Sequence, residues 1–578
     1  MLLLIESSLV LIAVVVALLR PRWGERWFTP VERRFAQLAR RRTLSVVVVG
    51  ASALGIRAAL LPVLPIPEPA VHDEFSYLLA ADTYAHGRLA NPTHPMWVHF
   101  ETFHVNQEPT YVSMYYPAQG IFLALGQRVF GHPFWGVWLS AGLMCGAICW
   151  MLQGWVAPVW ALLGGFLSVM RLGVFSYWMN SYWGGAVAAL GGALVLGALP
   201  RIKRHQRLWH VVLMGIGFAV LANSRPYEGI FFSIPVITTL ALWIRRPSTP
   251  PFRTIATRVI APLLGMFVLT LGLMGYYFWR TTGNPVETPY LVNAKTYFSV
   301  PFFPWQRSTN FPVYRHAVMQ KFYTGWVASE YALCRTHPII SVLLRGWLSW
   351  FFFLGPLLTL PLICGCFAVP YGTRFRDFSR NTRFLLIACG CAFLASLLPI
   401  GFDPHYLAPI TAALYALLLL AISNVRRWNP RGQPSGVAVV RSLLVAGILV
   451  FAVRAAVPST YAQTTPATWY SPFIFETYRE QIQRNLLATV DRHLILVRYS
   501  PEHIVNDEWV YNQADIDGSK VVWARDMGAE NNLEVIRYFK DRKVWLLEPD
   551  VVPPKLAPYP HDSSHAPVER LASADEVR

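Results

Sequence analysis

Charge is scarce in this chain: only 14% of its 578 residues are Asp, Glu, Lys or Arg, while 54% are hydrophobic. Soluble domains carry about 25% charged residues, so the deficit excludes a water-soluble globule as the whole molecule. Acidic residues are the scarcer sign, 32 against 50 basic ones, leaving a formal charge of +18. A nucleic-acid surface is not the reading that follows, because the arginines fall in short clusters between apolar segments, where they report membrane topology. Cysteine is also sparse. Cys145, Cys149, Cys364, Cys366, Cys389 and Cys391 lie in apolar segments and Cys334 stands alone, a distribution without a disulfide framework that reads as packing. No internal repeat is visible. The first apolar segment, Leu2 to Leu19, lacks a basic flank before it and a small-residue cleavage site after it, so it reads as a retained helix rather than a signal peptide.

What the chain does have is a succession of apolar stretches near the roughly 18 residues needed to cross hydrocarbon. About twelve crossings are expected: Leu2 to Leu19, Leu44 to Leu64, His132 to Met151, Val156 to Leu172, Trp183 to Leu199, His210 to Ala222, Gly229 to Ile244, Val259 to Trp279, Ile339 to Val369, Phe384 to Ile400, Tyr406 to Ser423 and Val437 to Val457. Arginine clusters at 20–42, 201–207, 245–258, 374–383 and 426–441 then all fall on one side, the cytoplasmic one by the positive-inside rule. The fold class expected is a mainly α polytopic membrane protein with a small C-terminal α/β domain outside the cytoplasm. Its parts are a first helix and basic loop (1–43), a transmembrane domain (44–457) with external loops at 65–117 and 281–338, a periplasmic α/β domain (458–550), and a disordered tail (551–578) rich in Pro, Ser, His and Ala. Many of the 22 Trp and 25 Tyr, Tyr115 and Tyr116 included, read as interfacial anchors near helix ends.

The first external loop opens with His72, Asp73 and Glu74, followed by Tyr77, Asp82 and Tyr84. Adjacent carboxylates at the start of a helix point about 100° apart, so one can face a reaction centre while the other anchors the loop; the plainer alternative is that Asp73 caps the helix. Candidate cations on the same side are Arg225, Lys295, Arg307, Arg315 and Lys321. Arg225 lies in the polar island Asn223 to Glu228 and has an ion pair with Glu228 as its plain reading; Arg171 reads as snorkelling to the interface. In Gly401-Phe402-Asp403-Pro404-His405-Tyr406, the bland reading is a helix start with Asp403 as cap. His94, His99 and His104 with Glu101 and Glu108 raise a divalent metal, but their spacing matches no metal motif and a hydrated loop is the simpler account.

The run His72 to Leu78, the helix Ala80 to Gly87, and Tyr116-Pro117-Ala118-Gln119-Gly120 leading to Phe130-Gly131 together resemble the polytopic C-type glycosyltransferases (GT-C), near the protein O-mannosyltransferase and lipid A aminoarabinose transferase group. The resemblance spans Leu44 to Ser423 in layout. It implies hexosyl or pentosyl transfer from a polyprenyl-phosphate donor to a lipid, glycan or protein acceptor at the outer face of the inner membrane, with inversion and without a cofactor. It also implies Asp73 as general base with Glu74 in support, and His72, Tyr77, Tyr84, Arg225, Lys295, Arg307, His405 and Tyr406 as substrate-binding candidates. In the Asp403 to Pro409 stretch a His stands where some members carry Arg, which leaves a phosphate role there open. The alternative is a transporter or lipid flippase, which should carry charge at mid-membrane and paired broken helices, whereas here polar residues gather in two outer loops. A noncatalytic scaffold working through the C-terminal domain is the third possibility.

Overall fold

Residues 2–246, 250–307, 312–367, 375–456 and 477–560 are described by the computed structural model. They divide into two compact units, Met1–Thr93 with Phe103–Thr477, and His94–Thr102 with the chain from Tyr478 onward.

The first unit is a helical bundle. Ten helices open it: α1 (Leu2–Leu19), α2 (Glu25–Arg40), α3 (Arg42–Ala59), α4 (His72–Ala85), α5 (Pro117–Phe130), α6 (Phe134–Leu152), α7 (Pro158–Ser168), α8 (Ala186–His205), α9 (Leu208–Ala222) and α10 (Pro226–Ile244). Among the described residues, eight helices are long and apolar enough to cross a membrane alone, with a ninth span if one bent pair is counted. Every expected crossing contains a helix; α7, α9 and Arg380–Ser396 are the shorter ones. The bundle interior is built from α6, α8 and the helix Thr411–Arg427, whose Ala, Gly, Leu and Val side chains pack closely, with Val49 and Ala53 of α3 against them. By contrast Phe252–Thr282 turns Leu264, Phe267, Val268 and Leu271 outward, as a lipid-facing helix must.

Helix ends inside this bundle are closed by buried arginines. The pair Pro338–Phe353 and Gly355–Gly365 is bent by 99°, and Gly355, at φ +61°, makes the turn. Arg171 donates to the carbonyls of Phe352 (2.9 Å) and Phe351 (2.5 Å) before the break. Glu6 of α1 accepts from the Leu357 N–H beyond it (2.9 Å) and lies 3.7 Å from Arg171. Arg171 is thus buried and paired, not snorkelling, and the outer loops do not hold all of the charge, because a broken helix in hydrocarbon needs donors and acceptors for its ends. Arg57 likewise caps α3's exit through Leu64 and Pro65 carbonyls (2.7 and 2.9 Å), and Arg345 holds the carbonyls of Ser396 and Ile400 (3.1 and 2.7 Å).

The basic clusters do converge. Arg426 and Arg441 both bond Glu32 of α2 (3.1 and 2.9 Å), Arg201 lies within electrostatic reach of Arg42 and Arg204, and Lys203 within reach of Arg246. Each of α8, α10 and Thr411–Arg427 ends at that face and begins at the opposite one.

In the second unit, β4 (His493–Val497), β5 (Val521–Arg525) and β6 (Lys543–Glu548) form a parallel core, in the order β5-β4-β6, with β7 (Lys555–Pro558) antiparallel on β6. The numbering follows β1 (Asn91–Pro92), β2 (Val105–Asn106) and β3 (Thr110–Ser113), a small sheet of the first unit. Ile495, Val497, Trp523 and Leu547 meet Leu486 of the helix Tyr478–Ala488 in its core. Two expectations are corrected. Residues 555–558 are a strand, not disordered tail, since Pro is tolerated at the end of an edge strand; residues 561–578 lie outside the described residues, as do 457–476 at the expected domain boundary. His94–Thr102, assigned from sequence to an outer loop, belongs to this unit: Arg525 Nε donates to the Glu101 carbonyl (2.6 Å), and His94 stacks on Phe539.

Replacing Arg171 with Met leaves the Phe351 and Phe352 carbonyls and the Glu6 carboxylate without their cation. Breaking a buried charged pair costs about 3 kcal/mol, so the thermal midpoint of purified protein in detergent is expected to fall clearly, whereas the exposed Arg207→Gln leaves it unchanged.

Candidate active site at the helix ends opposite the basic loops

α4 begins on an extended Val71, and Glu74 sets its geometry. One Glu74 oxygen accepts from Ala70 and Val71 N–H (2.9 and 3.1 Å), and the other from Tyr182 N–H (2.9 Å). Burial pushes its carboxyl up to about 7, against the pull of those three amides. Glu74 therefore anchors the loop, the part the sequence reading left to one of the two adjacent carboxylates. Asp73 is not the cap: Val71 holds that position, and the Asp73 side chain, 17% exposed, turns to Tyr115 and His104.

There Tyr115 donates its hydroxyl to Asp73 Oδ1. His104 Nδ1 lies 3.2 Å from the Tyr115 oxygen and 3.8 Å from Asp73. Burial lowers the His104 imidazole below its usual range despite the Asp73 charge, and burial followed by that charge holds the Tyr115 hydroxyl well above its own. A neutral ring and a protonated phenol thus fix one oxygen of Asp73, while the other accepts no hydrogen bond among the described residues. Tyr77 stacks on Tyr115 at 4.5 Å, and burial raises it to about 12.

Arg225, the residue before α10, completes the cleft. Its guanidinium sits 4.4 Å over the Tyr406 ring, with Tyr77, Glu228 and Tyr115 within electrostatic reach. No ion pair joins it to Glu228 among the described residues, and there it donates to no carbonyl, unlike Arg57, Arg171 and Arg345. Asp403 lies in the same field. Burial, then the Asp73 charge, raises its carboxyl to about 8, with Arg225 opposing. Asp403 does stand at the N-cap of the 3₁₀ turn Pro404–Ile410, with Pro404 first in it, as the plain reading has it, but its side chain makes no cap bond there. Tyr290 also feels both Arg225 and Asp73.

Asp73, Tyr77, Arg225 and Tyr406 are therefore brought together, while other candidates are not. His72 is packed among Phe103, His104 and Phe322 (4.6 to 5.6 Å). Tyr84 lies eleven residues along α4, about 16 Å from Asp73, with its hydroxyl on Tyr277 (3.0 Å). Lys295 is exposed and paired with Glu287, Arg307 is exposed beside the undescribed residues 308–311, and His405 is buried against Tyr177 (2.9 Å). The loop histidines do not meet as metal ligands: His94 bonds Asp517, His99 approaches the Arg525 carbonyl, and His104 serves Asp73. They are buried rather than hydrated, and no group of three or more His, Cys, Asp or Glu arranged to hold a metal ion occurs among the described residues. Sequence reasoning missed Asp403, Tyr115, His104 and Tyr290; Asp403 stood in a stretch already marked, but a helix-start pattern hid it.

No protein-family model and no curated protein matches the chain. Among solved structures, ArnT from Cupriavidus metallidurans in the apo state aligns at 14% identity and TM-score 0.49, covering 87% of this chain and 92% of that one. The same protein bound to undecaprenyl phosphate aligns at 12% and 0.45 over the same shares. The Archaeoglobus fulgidus oligosaccharyltransferase tethered to an acceptor peptide aligns at 11% and 0.47, covering 87% and 68%. The structural neighbours are thus polytopic glycosyltransferases of the kind the sequence resembles; at such scores they assign no reaction and no residue.

Asp403 supplies the sharpest test of this geometry. Infrared titration should find a carboxyl signal leaving near pH 8 that is absent in Asp403→Asn and moves to lower pH in Asp73→Asn, because removing the Asp73 charge removes one cause of the shift.

Proposed function

We propose that this protein is a membrane glycosyltransferase that moves a sugar from a polyprenyl-phosphate donor to an acceptor at the face opposite its basic loops, the periplasmic face of a bacterial inner membrane. The observation that carries the reading is that Asp73, with one oxygen not held by Tyr115, and Arg225, a guanidinium that donates to no carbonyl among the described residues, act on the same tyrosines, Tyr77 and Tyr290. A lipid donor enters such a site sideways between helices.

The chemistry follows from charge. An acceptor hydroxyl or amine attacks the anomeric carbon, and Asp73 takes the proton it loses. The bond from that carbon to the phosphate oxygen breaks, and its electron pair leaves with the lipid phosphate. That leaving group departs as an anion, so it needs a fixed cation rather than an acid, and Arg225 supplies one in a partly desolvated setting. Tyr406 holds the guanidinium from below, Tyr115 and His104 orient the base, and Asp403, kept mostly neutral below pH 8 by burial and the Asp73 charge, adds a hydrogen-bond donor without repelling phosphate. Attack opposite the leaving group gives inversion.

Against the transporter reading stands the bent pair at Leu354, whose ends are closed by Arg171 and Glu6 rather than opened to an ion or substrate. The test is transfer by purified, reconstituted protein given radiolabelled polyprenyl-phosphate sugars and envelope extract. Asp73→Asn should lower the rate by about 100-fold or more with unchanged thermal stability. Arg225→Gln should weaken both donor use and turnover. Equal activity in wild type and Asp73→Asn removes Asp73 as base, and no transfer from any donor removes the reading.

A further inference from the structure

The amphipathic helix α2 joins two membrane spans, α1 and α3, at the face where the basic loops converge. One side of it is committed to the protein. Phe28 lies under Arg441 (5.3 Å), Phe35 packs on Phe166 (6.1 Å), and Glu32 bonds Arg426 and Arg441. The other side is not: Trp27 and Val31 lie one turn apart on one stripe, Trp23 in the turn before the helix meets Trp27 edge to face at 6.5 Å, and the three are 57%, 63% and 64% exposed. Water is a poor solvent for that stripe, and the headgroup boundary of a bilayer is a good one for Trp.

Charge flanks the stripe. Residues 20–42 hold eight arginines and two glutamates, and one of those glutamates is already neutralised by Arg426 and Arg441. On a helical projection Arg26, Arg33 and Arg40 line one edge of the apolar stripe and Arg34 falls within it. A depression of about 770 Å³ opens between Arg22, Trp23, Arg26, Trp27 and Arg33, with Glu25 on its wall. A second, of about 480 Å³, is shared by Arg22, Glu25, Arg426, Arg427 and Trp428. Tryptophan beside several guanidinium groups, at the depth where phosphodiesters sit, matches an anionic lipid and not a zwitterionic one.

We propose that α2 is a binding site for an anionic phospholipid of the leaflet on the basic-loop side, its phosphodiester held by Arg22, Arg26 and Arg33 and its acyl chains laid along Trp23, Trp27 and Val31. The site stands at the opposite membrane face from Asp73 and does not depend on the glycosyltransferase reading. Delipidated full-length protein in dodecyl maltoside, titrated with dioleoylphosphatidylglycerol or dioleoylphosphatidylcholine and read by native mass spectrometry, tests it. The expected result is at least ten-fold tighter retention of the first phosphatidylglycerol than of phosphatidylcholine. That preference should be lost in R22Q/R26Q/R33Q, kept in R22K/R26K/R33K, and weakened in W23A/W27A, with all variants showing the wild-type circular dichroism. Equal retention of both lipids, an unaffected glutamine variant, or displacement of the bound lipid by millimolar inorganic phosphate, the mark of a free-anion site, overturns it.

Discussion

A polypeptide that breaks a helix inside hydrocarbon has no water to satisfy the amides and carbonyls it exposes, and each one left alone costs several kcal/mol. This molecule meets that constraint with guanidinium groups. Arg57, Arg171 and Arg345 each give two donors to the last carbonyls of an interrupted segment, and Glu6 answers from the acceptor side. The irregular stretches that shape the cleft, the exit of α3 and the 3₁₀ turn after Asp403, can exist at the membrane edge because these groups close the ends beside them. Arg225 stands out against that pattern. It has the same chemistry and a similar position at a helix end, yet among the described residues its partners are rings and distant charges, not carbonyls.

The two neighbouring carboxylates show how one short sequence divides its labour. Glu74 points into protein and is consumed by Ala70, Val71 and Tyr182 amides, which fixes where α4 starts. Asp73, one residue earlier and about 100° around the helix, inherits a rigid backbone and an exposed edge. The placement of Asp73 depends on the anchoring of Glu74, since a side chain on a mobile loop loses its geometry. Tyr115 reaches Asp73 from the end of the small sheet β1–β3, so a third element locks the same atom.

Much of the architecture was legible in the chain because its signals are strong and local. Apolar length marked the membrane-crossing segments, arginine clusters gave the convergent face, and the α/β character of the C-terminal domain was read as well, whereas α2 and α5, which carry no long apolar run, were not. Asp73, Tyr77, Arg225 and Tyr406 were likewise marked from sequence and do come together. The misreadings share one cause: a side chain's partner was far away in the chain. Arg171 looked like an interfacial residue because Glu6 is 165 positions upstream; His94 looked like loop because Asp517 is 423 positions downstream; Asp403 was read by its cap position alone because its neighbours Asp73 and Arg225 come from other segments. Local pattern assigns an element and is silent about what that element faces.

The central claim is that Arg225 is held in reserve for a lipid phosphate beside Asp73. Its most direct measurement is a cryo-electron microscopy structure of the protein in nanodiscs loaded with undecaprenyl phosphate. The account predicts phosphate density within hydrogen-bonding distance of the Arg225 guanidinium, with the lipid leaving between helices and the Asp73 oxygen not held by Tyr115 facing the phosphate across a gap the size of a sugar. Phosphate bound elsewhere, with Arg225 turned onto Glu228 or a backbone carbonyl, would contradict it.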